Sequence, residues 1–182
     1  MIIYATKQTF ERYKLKLPSE LSSSINILAE TAIKNEGGDR LLEWGAKLFY
    51  FDKRKCIQVV NFASKFTLFL VDVKVSDLEN IGDIMAHYMI ELYKKMFEKN
   101  PVTYFAKLMD KGVIATLNNT QSRYLDDGYY LYEFIRDGIL YTMEINHKVN
   151  FDWLFTMKIN GKTEYIYAGE KFKEIVLERY GR

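Results

Sequence analysis

The sequence has very little of the residue types on which several classes of protein depend. Its 182 residues contain one cysteine, Cys56, and two histidines, His87 and His147. A single cysteine excludes an intramolecular disulfide and any metal site built from several thiolates. No stretch of about 18 consecutive apolar residues is present, so no segment is typical of a membrane-spanning helix. The first residues lack the apolar core of a signal peptide, and we therefore expect a cytoplasmic protein.

The chain also has almost no excess of charge of either sign. It carries 26 lysine and arginine residues against 24 aspartate and glutamate residues, which gives a formal net charge of +2. A protein that covers nucleic acid with its whole surface is far more basic than this. Any contact with RNA or DNA must therefore come from a local cluster of cations.

Several motifs that carry catalysis are missing as well. The sequence has no glycine-rich phosphate loop, no Cys-x-x-Cys, no Gly-x-Ser-x-Gly and no His-Glu-x-x-His. RNA cleavage without a metal usually needs an acid and a base that titrate near neutral pH, and only His87 and His147 qualify. His87 is predicted on the rim of a helix and His147 in a loop between two strands. Nothing in the sequence brings them together, so both are weak catalytic candidates.

Asp72 and Lys74 are a second pair of weak catalytic candidates. A metal-dependent nuclease needs carboxylates beside a lysine at the end of a strand, and Asp72-Val73-Lys74 closes a predicted strand in that form. No second acid is in view, and we expect neither a metal nor another cofactor.

What the sequence does contain is a pattern of strands and helices typical of an α+β domain. Apolar segments at residues 44–51, 56–62 and 65–73 follow each other closely and predict an antiparallel meander. Residues 76–79, Ser-Asp-Leu-Glu, predict a capping box that opens one long central helix ending by Pro101. Its apolar stripe consists of Leu78, Ile81, Met85, Met89, Leu92 and Met96.

The two ends of the chain add further elements. Residues 2–5 predict a strand, Thr6 a helix cap, and residues 22–34 a second helix. Towards the C-terminus, strands are predicted at 112–117, at 139–145 and on either side of Asn160-Gly161, followed by a helix at 170–180. Asn-Gly between alternating apolar segments is a strong signal for a hairpin. We expect one domain over 1–182, in which 139–182 could form a hairpin-plus-helix subdomain.

The most concentrated charge lies at the turn of the first predicted hairpin. Lys53, Arg54 and Lys55 follow one another between two apolar strands, and Asp52 and Tyr50 would support the turn. Three cations at a tight turn face water, and they could simply protect the sheet from aggregation. The alternative is that they bind phosphates, in which case Arg54 adds bidentate geometry. The predicted RNA-binding residues are therefore Lys53, Arg54 and Lys55, and we expect no metal at this site.

The segment from Glu43 to Cys56, with the strand to Val73 and the helix from Leu78, resembles a family of small bacterial proteins known as a domain of unknown function. Its members share a tryptophan, an apolar strand, an acidic-basic turn ending in Lys-Cys, another strand and a helix. The resemblance covers the middle third of the chain and implies no activity. In size and layout the chain is also similar to type II anti-CRISPR proteins that cause truncation of the Cas9 guide RNA. That resemblance implies a needed hairpin, for which residues 52–56 are the candidate.

Three functions follow from these observations. The first is an anti-CRISPR inhibitor that binds the complex of Cas9 with its guide RNA and truncates or obstructs that RNA through the basic hairpin. The second is a non-enzymatic interaction protein of a bacterial mobile element with no role on RNA. The third is a metal-dependent nuclease that uses Asp72 and Lys74. The first is the leading hypothesis, and the sequence leaves open whether the protein cleaves RNA itself.

Overall fold

The computed structural model describes residues 1–51, 53–97, 105, 113–126 and 128–181. Within these residues the strands are β1 (Ile2–Ala5), β2 (Glu43–Phe51), β3 (Arg54–Asn61), β4 (Thr67–Val71), β5 (Val113–Thr116), β6 (Leu154–Ile159) and β7 (Lys162–Tyr167). The α-helices are α1 (Lys7–Tyr13), α2 (Ser23–Glu36), α3 (Ile81–Tyr93), α4 (Asn119–Ser122), α5 (Tyr130–Arg136), α6 (Thr142–Phe151) and α7 (Ala168–Tyr180). Short 3-10 helices cover Pro18–Glu20 and Val75–Asn80.

The central sheet has five strands in the order β4-β3-β2-β1-β5. Strands β2, β3 and β4 pair antiparallel, which confirms the predicted meander. Strand β1 pairs parallel with both β2 and β5, so the whole sheet is mixed rather than antiparallel throughout. The chain returns to the sheet through α1 and α2 between β1 and β2, and such a crossover produces parallel pairing. The α+β class is confirmed.

The second sheet is the predicted C-terminal hairpin of β6 and β7. Its turn residues Asn160 and Gly161 have φ angles of 50° and 79°. Both turn residues of this hairpin type need positive φ, and asparagine and glycine adopt it most readily. The hairpin leads directly into α7, the final helix, as predicted.

The helix that follows β4 begins later than its sequence indicates. The 3-10 turn at Val75–Asn80 comes first, and there the Asp77 carboxylate accepts the Lys74 N–H at 2.8 Å. The α-helical part, α3, spans 13 residues and is no longer than α2 or α7. The predicted stripe is buried at Leu78, Ile81, Met85, Met89 and Leu92. The predicted end near Pro101 lies outside the described residues.

Aromatic side chains fill the core on both faces of the central sheet. On one face Phe172 of α7 packs against Trp44 and Phe66, with ring centroids 5.8 and 4.6 Å apart. On the other face Phe69 packs edge-on against Tyr130 of α5 at 6.1 Å. Pairs at these distances add to the free energy gained by burial alone. The core thus accounts for most of the phenylalanines, whereas several tyrosines, Tyr50 among them, are exposed.

The strand predicted at 139–145 is wrong, because helix α6 begins at Thr142. This helix covers the open edge of β4 with two asparagines one turn apart. Asn150 accepts from the Thr67 N–H and donates to its carbonyl, at 2.8 and 2.7 Å. Asn146 does the same for Phe69, at 2.7 and 3.2 Å. One helical turn of four residues rises about 6 Å and two strand residues about 6.6 Å, so the two spacings match.

Candidate functional site

The turn of the first hairpin projects the predicted cations from a rigid support. In the ladder of β2 and β3, Trp44 lies opposite Asn61 at one end and Phe51 lies opposite Arg54 at the other, which leaves a two-residue turn. Its second residue, Lys53, has a φ angle of 62°, and its first, Asp52, lies outside the described residues. Left-handed backbone is unfavourable for a lysine, so the surrounding ladder holds Lys53 in this conformation.

Three segments of the chain meet beside this turn and form an open groove of about 750 Å³. They are the last turn of α1, the tip of the hairpin and the residues that follow β4. We call this feature the basic groove. Its lining consists of Arg12, Tyr13, Lys53, Arg54, Lys55, Asp72, Val73, Lys74 and Val75. The groove therefore unites the Lys53–Lys55 cluster with Asp72 and Lys74, which the sequence suggested for separate functions.

The charges of the basic groove are strongly unbalanced. Among the described residues, its lining contains five cationic side chains and one carboxylate, that of Asp72. Arg54 Nη1 lies 3.3 Å from Asp72 Oδ2, and both side chains are 60% exposed. Exposed ion pairs of this kind contribute little free energy, so Arg54 remains available to another anion. The other four cations make no ion pair with any residue that the structure describes.

The floor of the basic groove is a buried tyrosine. Tyr13 is 2% exposed, and its hydroxyl donates to the Val73 carbonyl oxygen at 3.2 Å. Burial is the main cause that raises the pKa of Tyr13, followed by the neighbouring Cys56 and Tyr50. The neutral phenol thus keeps its hydrogen bond, which ties α1 to the end of β4. The last turn of α1, which also carries Arg12, is thereby anchored beside the end of β4.

Asp72 is held in a turn that directs the chain away from β4. Its φ angle is 57°, and its N–H donates to the Lys55 carbonyl oxygen at 2.9 Å. Two residues of the groove lining, Lys53 and Asp72, therefore adopt left-handed backbone without being glycine. Conformations of this kind are concentrated at functional sites, because the fold must stabilise them by other contacts.

Tyr50 lies beside the basic groove and offers an aromatic surface. It pairs with Lys55 across the hairpin, which places the two side chains on the same face of the sheet. Its side chain is 51% exposed. An exposed ring beside cations is the arrangement on which proteins stack the bases of single-stranded nucleic acid. The predicted supporting residue is therefore also a candidate contact.

Neither histidine lines the basic groove. His87 is exposed on α3, and His147 is exposed on α6 rather than in the predicted loop, because the strand expected there is a helix. The His147 ring lies 5.0 Å from that of Phe151 and borders a different cavity, together with Glu91 and Lys94. An acid-base pair of histidines at the groove is therefore not formed by the described residues.

The nuclease candidates Asp72 and Lys74 do lie together in the basic groove. The partner of the Asp72 carboxylate there is Arg54, not a second acid. No group of three or more histidine, cysteine, aspartate or glutamate residues in the described part of the chain is placed to hold a metal ion. The nuclease hypothesis stays a prediction.

Sequence reasoning missed Arg12 and Tyr13. Thr6 caps α1 by accepting the Thr9 N–H, and this helix ends at Tyr13. The helix itself is predictable, but its neighbours are not. Its last turn reaches the hairpin tip because β1 runs parallel to β2, and only the register of these two strands shows that.

The acid pair Asp126-Asp127 has a structural role at its first member. The Asp126 carboxylate accepts from Gln58 Nε2 at 2.7 Å and from the Gly128 N–H at 2.9 Å. The Tyr130 hydroxyl donates to the same carboxylate at 3.3 Å. These bonds fix the entry to α5. Asp127 lies outside the described residues.

The fold and the groove define an α+β protein that carries a concentrated cationic surface on an almost neutral chain. The chain belongs to the family described as Domain of unknown function (DUF6933), whose sequence model matches residues 2–171. The expected membership of an uncharacterised family is thereby confirmed, and the match extends well beyond the middle third of the chain. No curated protein matches this sequence. Among the described residues, no helix combines the length and the apolar character needed to cross a membrane.

Proposed function

We propose that this protein binds single-stranded RNA through the basic groove. The observation that carries the proposal is the convergence of five cations, with Asp72 as the one carboxylate among the described lining residues: Arg12, Lys53, Arg54, Lys55 and Lys74. These cations come from three separate segments of a chain whose net charge is only +2. Cations brought together without compensating acids repel each other, and an anionic ligand relieves that repulsion.

A phosphate backbone fits the basic groove better than a compact anion does. The cations lie along an open groove of about 750 Å³ rather than around one point. Lysine contributes point charges and Arg54 a planar fork, and both are common contacts to phosphate. Tyr50, half-exposed beside Lys55, adds a surface on which a base can stack. Unpaired bases are accessible in single strands and not in a duplex, which favours single-stranded RNA.

The geometry supports binding more than cleavage by the protein alone. Neither His87 nor His147 lines the basic groove, and Asp72 is the one acid among its described lining residues. The groove can therefore hold RNA in place, while the described residues offer no pair of groups for acid-base catalysis there.

A binding measurement with a charge-matched control tests the proposal. We expect Arg12→Gln/Lys55→Gln/Lys74→Gln to weaken binding of a labelled single-stranded RNA by about tenfold or more at 0.1 M salt. The control Arg136→Gln/Lys158→Gln/Lys162→Gln removes the same charge from exposed positions that do not line the basic groove. It should change the affinity only slightly. Equal losses in the two variants, or no binding by the wild type, would refute the proposal.

The guide RNA of Cas9 is the particular target that we propose, on the strength of the resemblance to anti-CRISPR proteins. The supporting feature is the basic hairpin, which that resemblance makes the needed element. Labelled guide RNA should be incubated with the protein, with and without Cas9 and with and without a chelator. Shortened or protected RNA only in the presence of Cas9 is the expected result. Unchanged RNA in every lane favours the interaction protein with no RNA role, and cutting that the chelator abolishes favours the nuclease.

A further inference from the structure

A second group of cations surrounds the ring of Tyr124, at the other end of the meander. The guanidinium carbons of Arg40 and Arg123 lie 5.4 and 5.1 Å from the ring centroid, and Lys65 Nζ lies 6.0 Å from it. We call these four residues the Tyr124 cluster. Lys65 belongs to the turn between β3 and β4, and Arg40 precedes β2. Since β3 spans eight residues, the cluster lies about 24 Å from the basic groove.

The ring of Tyr124 is a fixed platform. It stacks on the fully buried Phe62, with centroids 4.6 Å apart and planes 23° apart. Phe62 in turn stacks on Tyr4 at 5.9 Å. The cations are tied to the same residue, because Lys65 Nζ donates to the Tyr124 carbonyl oxygen at 2.7 Å and Arg123 Nη2 donates to its hydroxyl at 3.1 Å.

Two described acids near this cluster, Asp39 and Asp126, are already engaged elsewhere. Asp39, which precedes Arg40, forms an ion pair with Arg179 at 2.6 Å. The negative charge of Asp126 favours the charged form of Lys65 and so acts to raise its pKa. The Asp126 carboxylate itself accepts hydrogen bonds from Gln58 and Gly128. Arg40, Lys65 and Arg123 form no ion pair with a carboxylate of the described residues. Burial lowers the pKa of Lys65, as expected for an ammonium group with too little compensating charge.

We propose that Arg40, Lys65 and Arg123 form a binding site for a phosphate group, separate from the basic groove. Two guanidinium groups can each donate two hydrogen bonds to phosphate oxygens, and the lysine adds a third positive charge. Arg123 lies at the hydroxyl end of Tyr124 and Lys65 at its backbone end, so the spacing of the cations suits a small mono- or diphosphate group rather than an extended backbone. The group is either a free phosphate or pyrophosphate, or the terminal phosphate of an RNA held elsewhere on the protein.

Calorimetry with inorganic phosphate and pyrophosphate tests this site directly. We expect pyrophosphate to bind the wild type, and Arg40→Gln/Arg123→Gln to raise its Kd by about tenfold or more. Both arginines are exposed, so the variant should keep its fold, which circular dichroism can verify. The matched control Lys158→Gln/Lys162→Gln removes two charges from exposed positions that line neither site, and it should leave the pyrophosphate Kd within about twofold.

A second arm identifies the source of the phosphate and keeps this site distinguishable from RNA binding in the basic groove. Oligonucleotides with a 5′-phosphate and a 5′-hydroxyl should be compared on the wild type and on Arg40→Gln/Arg123→Gln. Tighter binding of the phosphorylated form that disappears in the variant assigns the site to an RNA end. Equal binding of both forms, with pyrophosphate still bound, assigns it to a small ligand. Wild-type protein that binds neither phosphate nor pyrophosphate, or a variant that binds them as well as the wild type, would overturn the proposal.

Discussion

At the scale of single residues, the backbone of Lys53 links the stability of the hairpin to its charge. Its φ of 62° is one that asparagine tolerates and that glutamine, like lysine, adopts at a cost. The residue is exposed, so neither substitution disturbs the core. Conformation and charge can therefore be separated at this one position.

We expect the free energy of unfolding of Lys53→Asn to exceed that of Lys53→Gln by about 0.5 to 1 kcal/mol. The asparagine variant should therefore unfold at a higher urea concentration. Both variants lose the same positive charge, and both should weaken RNA binding to the same extent. Urea titrations and RNA anisotropy on the pair provide the measurement. Equal stabilities would show that the turn is not strained, and a difference in RNA affinity would show that more than the charge matters.

The residue scale also shows how far sequence reasoning reaches. Lys53, Arg54 and Lys55 are adjacent in the chain and lie together at the predicted turn, because a hairpin is a local structure. Arg12 joins them only through parallel pairing of distant strands. The sequence alone associates Lys74 with a nuclease site, since nothing in it places the end of β4 beside the hairpin tip.

At the scale of elements, the contact between α6 and β4 is the least predictable from sequence. Residues 139–145 contain apolar and β-prone side chains, which favoured a strand. The decisive residues are Asn146 and Asn150, whose spacing matches the strand they cover. Two asparagines four residues apart occur in many helices, and their role is visible only when an open strand edge lies opposite.

We expect Asn150→Ala to lower the free energy of unfolding by about 2 kcal/mol or more, because it leaves the N–H and carbonyl of Thr67 without partners in a buried position. Exposing the edge of β4 should also promote self-association, which light scattering detects. Asn35→Ala, on the exposed surface of α2, is the control and should be almost neutral. Equal effects of the two substitutions would contradict the role assigned to α6.

At the scale of the whole molecule, buried tyrosines predict a loss of stability in alkali. Burial raises the pKa of Tyr4 to about 12, with a further contribution from Glu43. Burial also raises the pKa of Tyr93 and of Tyr130 well above the ordinary value. Above pH 10 these groups keep their protons in the native state and lose them in the unfolded state. The unfolded state then binds fewer protons, so the free energy of unfolding falls as pH rises.

The slope of this loss should be about 1.4 kcal/mol per pH unit for each such tyrosine between pH 10 and 12. Tyr4→Phe should reduce the total slope by about 1.4 kcal/mol per pH unit, because phenylalanine has no hydroxyl group to titrate. Urea unfolding at a series of pH values on wild type and variant measures the difference. Identical slopes would mean that Tyr4 titrates normally in the folded protein.

The fold class of the whole molecule follows from local patterns. The meander, the Asn160-Gly161 hairpin and the final helix depend on residues that are close in sequence, and all three are confirmed. The parallel pairing of β1 with β2 and β5 joins segments about 40 and 110 residues apart, and no local pattern encodes it. The basic groove depends on that pairing, so only part of it could be predicted.

The salt dependence of RNA binding is the most direct test of the basic groove. If five phosphates are neutralised, log K should fall with log [salt] with a slope of about −3.5 for a single strand. Lys53→Ala/Arg54→Ala/Lys55→Ala removes three of those contacts and should reduce the magnitude of the slope by about 2. A folded triple variant with the slope and affinity of the wild type would contradict the assignment of RNA binding to this groove.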